Sequence, residues 1–205
     1  ALFGANFKDP TNGYAKYIDV DSFIDHHIMV ELTKNIDGYR LSTFMFKDRE
    51  GKLNMGPVWD YNLSLGNADY LQGWDPVGWY YPQLGGNDYY WYPRLFQDTA
   101  FTQRYRERWI AFRQAQFKPD LLLAQIDDIA ALLNESAGRN FKRWPTLGTY
   151  VWPNKFIGKT YAEEINFMKG WTRDRVYWMD STFVAAPTFN KNGGQIDPGF
   201  LLVIT

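Results

Sequence analysis

The chain has 205 residues, no cysteine and a formal net charge of −1. Those values exclude a disulfide framework, a thiolate metal site and a cysteine nucleophile. With no long run of one sign, they also leave no electrostatic footprint for nucleic acid or an anionic membrane. Hydrophobic residues make up 45% and charged residues 22%, which is ordinary for a globular domain with a sizeable core. The aromatic content is not ordinary, at 15 Phe, 14 Tyr and 9 Trp. Such rings supply buried bulk or flat ligand platforms.

In chain order, residues 6–13 are polar and turn-rich, with Pro10 and Asn12-Gly13. The first residue is Ala, and no signal peptide follows it, as expected for part of a processed or longer protein. The spacing of Phe23, Ile24, His27, Ile28 and Leu32 predicts a helix over 21–34, with Ser22 and Asp25 at capping-box spacing. Asn35, Asp37 and Gly38 end it, since Asn and Gly tolerate left-handed backbone. Residues 39–47 and 53–59 read as the two strands of a hairpin, the second interrupted by Gly56-Pro57 and delivering Asp60 at its end.

A long irregular segment follows, over 67–93, crowded with Tyr70, Trp74, Trp79, Tyr80, Tyr81, Tyr89, Tyr90, Trp91 and Tyr92. Long loops inside compact domains are often functional. Exposed, these rings would stack on sugars or grip an extended protein; buried, they would only pin the segment, and partial burial with a few rings exposed is expected. Helices are predicted over 98–117, from Pro119 to about residue 134, and from a Thr160/Glu163 cap through Trp171 and Trp178. No stretch approaches the roughly 18 apolar residues of a membrane span. Residues 184–205, punctuated by Pro and Gly, read as a linker and the first strands of a β-sandwich module.

Any chemistry is expected between residues 25 and 67. A hairpin returns to its origin, so Asp37 and Asp60 are expected at the same end of the structure. Two carboxylates there suit a divalent cation, or one metal ligand and one general base. Asn62 adds an oxygen on the same side of an extended segment. Such hard ligands favour Mg²⁺, Mn²⁺ or Ca²⁺ over zinc. His26 and His27 diverge by about 100° on a helix and make an awkward metal pair. Arg40 can orient Asp37, hold a phosphate or simply pair with a local acid. Arg139 and Arg143, at i,i+4, form either a phosphate clamp or solvated surface.

The run DVDSFIDHHIMVELTKNIDGYRLSTFMFKDREGKLNMGPVWDYNLSLGNADY resembles the core signature of the spore coat protein H (CotH) kinase-like family, and the likeness continues through ARNFKRWPTLGTYVWPN. It covers roughly residues 14–183. The resemblance implies an α+β, mainly helical fold: the C-terminal lobe of a divergent protein kinase, with a small β-hairpin and a long aromatic-rich loop. The domain would span 1–183, its nucleotide-binding lobe missing, inside a larger multidomain bacterial protein. The implied activity is an atypical kinase, secreted or on the cell surface, transferring phosphate from ATP with Mg²⁺ or Mn²⁺ to a protein substrate. On that resemblance Asp37 matches the catalytic base and Asp60 the metal-binding carboxylate, while Asn62 replaces a second Asp. Ser42 stands where kinases carry the Asn for a second metal. The rival reading is a non-catalytic surface module contacting glycan or protein through the aromatic loop, and a purely structural Ca²⁺ site is a third. Neither membrane insertion nor nucleic-acid binding is expected.

Overall fold

The computed structural model describes residues 1–84, 91–183, 190, 191, 193–196 and 198–203. Its elements are α1 (Val20–Thr33), β1 (Met45–Phe46), β2 (Asn54–Met55), α2 (Trp91–Leu95), α3 (Thr99–Gln114), α4 (Pro119–Arg143) and α5 (Tyr161–Thr182), with 3₁₀ turns at Tyr14–Lys16 and Tyr81–Gln83. The fold is therefore mainly helical with one two-stranded antiparallel sheet, pairing Met45 with Met55 and Phe46 with Asn54.

α1 lies at the centre, against α3, α5 and β2. It buries Phe23, Ile24, His27, Ile28, Val30, Glu31 and Leu32, which together cover a little over half of its circumference. Its start is fixed by Asp19, whose carboxylate accepts the Ser22 amide at 2.8 Å. The expected Ser22/Asp25 box does not form: the Ser22 hydroxyl donates to the Asp19 carbonyl and accepts the Met55 amide, tying α1 to β2. Asp25 instead pairs with Arg108 at 2.7 Å.

α3 presents Phe101, Tyr105 and Trp109 to the core, one turn apart. Arg104 and Arg108, on its flank, form bidentate pairs with Asp21 and Asp25 on α1. α5 buries Trp171, Thr172, Arg175, Val176 and Met179. Gly66, at φ +85°, allows the chain to cross Trp171, because a Cβ there would fall 2.5 Å from the indole. Thr160 caps α5 by accepting the Glu163 amide, as its sequence predicts. α4 extends to Arg143, beyond the expected end, and packs against α5 with none of its residues fully buried. No helix among the described residues is long and apolar enough to cross a membrane.

The hairpin is shorter than its aromatic and β-branched content predicts. Residues 39–42 turn instead of extending, because the Asp37 carbonyl accepts the amides of Arg40, Leu41 and Ser42. Past Met55 the ladder stops at Pro57, which has no amide to donate. Of the expected linker and sandwich start, residues 184–189, 192, 197, 204 and 205 lie outside the described residues. Asn190 there exchanges hydrogen bonds with Val203 through its amide and side chain.

Candidate active site

The site begins where α1 ends. Lys34 takes up left-handed backbone at φ 48° and closes the helix, its amide bonding to Val30 and Glu31 carbonyls. The turn beyond it lies close on the helix because residue 38 is glycine: a Cβ would sit 2.7 Å from Val30. Ile36 is fully buried beneath this turn and anchors it. Asp37 projects from the anchored turn with its side chain 15% exposed, held by Arg40 at 3.3 Å. That contact uses Oδ1; Oδ2 has no hydrogen-bond partner among the described residues. Arg40 thus orients Asp37, and pairs with a local acid in doing so.

Asp60 arrives on the returning limb of the hairpin in left-handed backbone, φ 60°. The Ser42 hydroxyl donates to its Oδ2 at 3.4 Å. Fully buried Asn35 joins the two carboxylate segments: its side-chain oxygen accepts the Asp37 amide at 3.2 Å, and its side-chain nitrogen donates to the Asp60 carbonyl at 3.5 Å. Asp37, Asp60 and Ser42 are therefore gathered at the C-terminal end of α1. Asn62 is exposed two residues on, its carbonyl accepting from Asn67, and lines a shallow depression with Tyr61, Phe156 and Glu164. Among the described residues no three His, Cys, Asp or Glu side chains gather as a metal cage. A cation here would draw on Asp60 together with amide, hydroxyl and substrate oxygens, a donor set that suits Mg²⁺ or Mn²⁺.

Two tyrosines from the aromatic segment reach this region. The Tyr80 hydroxyl donates to the Ile36 carbonyl at 2.6 Å, one residue before Asp37. Tyr70 keeps its proton to higher pH than a free phenol, first through burial and then through the negative charge of Asp37. Burial likewise lifts the Tyr61 phenol to about 12.

The segment itself is clamped by charge. The Glu31 carboxylate, wholly buried, accepts the amides of Tyr80 (2.9 Å) and Tyr81 (2.8 Å) and the Tyr39 hydroxyl (3.0 Å). Arg175, equally buried, pairs with Glu31 at 3.0 Å and donates to the carbonyls of Pro76 and Gly78. Lys34 donates to the carbonyls of Asp75 and Val77, and burial draws its ammonium down to about 8. Among the described rings Tyr80 and Tyr92 are buried, and Tyr70, Trp74, Trp79, Tyr81 and Trp91 are half-buried; Tyr89 and Tyr90 lie outside the described residues. The more exposed rings sit elsewhere, on Trp59 and Trp152, at 58% and 69%. Trp152 stacks on Tyr70 with centroids 6.0 Å apart.

The other candidates separate from the site. His26 and His27 do not converge: their Nδ1 atoms meet the hydroxyls of Tyr92 and Tyr105 respectively. Arg139 pairs with Glu135 in solvent, and Arg143 lies over Trp144. Sequence reasoning missed Asn35 and Glu31; a polar residue at a helix end reads as a cap, and a Glu within a helix reads as surface.

The family model described as CotH kinase protein matches residues 3–179, and the chain belongs to that family. No curated protein and no solved structure matches it.

Proposed function

We propose that the chain is the catalytic-lobe part of an atypical protein kinase acting outside the cytosol. The reading rests on Asp37 and Asp60, separated by the whole hairpin, being tied together through Asn35 at the end of α1. Asp37 serves as the base: Arg40 fixes Oδ1, and Oδ2 is left to accept the proton of a protein hydroxyl. Asp60 and Asn62 hold the cation, with Ser42 beside them in the place of a kinase Asn. Bound Mg²⁺ or Mn²⁺ supplies neutralisation of the triphosphate charge. Tyr80 fixes the Ile36 carbonyl and so sets the height of the Asp37 turn.

The test belongs to the longer protein carrying the nucleotide-binding lobe, supplied with γ-labelled ATP and Mg²⁺ or Mn²⁺. Label should pass to protein with wild type and fall by on the order of 100-fold or more with Asp37→Ala and with Asp60→Ala. Nucleotide should still bind to Asp37→Ala, while its metal-dependent binding weakens in Asp60→Ala. Absence of both transfer and nucleotide binding in the wild type would sink this reading. The rival, a glycan- or protein-binding surface module, would then rest on the half-buried rings and be tested with glycans first.

A further inference from the structure

A cavity of about 360 Å³ opens between α1, α3, residues 79–81 and the end of α5. His27, Trp79, Tyr81, Phe96, Tyr105 and Arg106 are among its lining, and neither Asp37 nor Asp60 is. Its walls are mostly rings. The His27 imidazole lies 4.9 Å from Tyr81, 5.0 Å from Phe96 and 5.2 Å from Tyr105, centroid to centroid.

Two polar groups in this lining are unmatched. His27 is wholly buried, with Nδ1 3.0 Å from the Tyr105 hydroxyl. Its Nε2 has no hydrogen-bond partner among the described residues. Burial holds the imidazole well below its usual pKa and so neutral. Whichever nitrogen carries the proton, Nε2 is left as a donor without an acceptor or an acceptor without a donor. Folded proteins keep few orphans of that kind. Arg106 is the second. Its helix neighbours Arg104 and Arg108 each form a bidentate ion pair, whereas Arg106 makes no ion pair or hydrogen bond among the described residues. A guanidinium with free donors beside apolar walls selects an anion.

We propose that this cavity is a binding site for a small planar aromatic carboxylate. The ring stacks among Trp79, Tyr81 and Phe96, a polar atom of the ligand meets His27 Nε2, and the carboxylate pairs with Arg106. His27 Nε2 is closed off from the open part of the cavity, so the half-buried rings of Trp79 and Tyr81 must turn for the ligand to reach it. Volume and lining decide the class. A space of this size is at the small end of ligand sites. A sugar would carry hydroxyls around its whole rim and leave most of them unpaired against rings. A nucleoside triphosphate would bring several charges to one arginine. The site is independent of phosphate transfer, so it stands or falls apart from the kinase reading.

The intact chain is titrated with indole-3-acetate by calorimetry and by ligand-observed NMR, with indole and glucose as comparisons. Saturable binding of indole-3-acetate is expected, with Kd of roughly tens of micromolar to 1 mM for a ligand this small. Arg106→Gln should weaken it about tenfold or more, and indole, lacking the carboxylate, should be weaker by a similar factor. Thr102→Trp, an exposed helix position on the lining, should block it. Absence of saturable binding up to about 10 mM is what a water-filled cavity would give, and it would overturn the proposal. Equal affinity in wild type and both variants would overturn it too, as would glucose binding in preference.

Discussion

At the end of α1 the Asn35 amide is used in both directions, its oxygen toward Asp37 and its nitrogen toward Asp60. The neighbouring histidines direct their Nδ1 atoms to different partners, His26 to the Tyr92 hydroxyl and His27 to that of Tyr105, so the pair does not converge. Burial holds the His26 pKa down to about 4, against 6.5 when free. A depressed pKa means the folded state resists protonation. The stability it contributes is therefore whole above pH 6.5 and is lost as pH falls toward 4. The loss is at most about 3 kcal/mol. Wild type should thus lose Tm more steeply between pH 7 and 4.5 than His26→Gln, which keeps a polar group for Tyr92. Parallel Tm profiles would show that His26 is not buried in neutral form. At this scale the nearness of Asp37 and Asp60 was legible, because a hairpin must bring its ends together. It hid Asn35, since an Asn before Asp-Gly reads equally well as a turn former, and only the folded chain shows both ends of its amide engaged.

The aromatic segment is the element whose character the sequence left open. Gly and Pro announced an irregular path, and the path is indeed irregular over 67–80. Its rigidity comes from Glu31, Arg175 and Lys34, none of which lies in the segment. Long-range ion pairs leave no periodic mark, so this clamp could not be read from spacing. A buried pair of this kind is costly to break singly, because the survivor is a desolvated charge. Arg175→Met should therefore destabilise the chain by about 3–5 kcal/mol in urea denaturation. The double variant Glu31→Gln with Arg175→Met should recover part of that loss. A single-variant cost under about 1 kcal/mol would mean that the pair does not hold the segment. The hairpin, by contrast, was legible in existence and position but not in length, since the turn amides over 40–42 go to the Asp37 carbonyl instead of a partner strand.

Across the whole molecule, the helices over α1, α3 and α5 follow their hydrophobic periodicity closely, because each lays a stripe on a common core. α4 runs past its expected end since its amphipathic pattern needs only one neighbour, α5, and nothing breaks it before Trp144. The same arrangement has a consequence in time. Chains are synthesised from the N-terminus, so α1, the hairpin and the aromatic segment leave the ribosome well before α5. Until Arg175 emerges, the Glu31 carboxylate lacks its ion-pair partner and has only the charge of Lys34 nearby, so seating residues 75–81 upon it would leave the carboxylate unpaired. A chain ending at residue 158 should accordingly be cut by protease within 74–81, and one extending through residue 183 should resist; equal resistance would refute the order. The last helix is thus the step that commits the nascent chain, and every earlier element waits on it with its ends already in place.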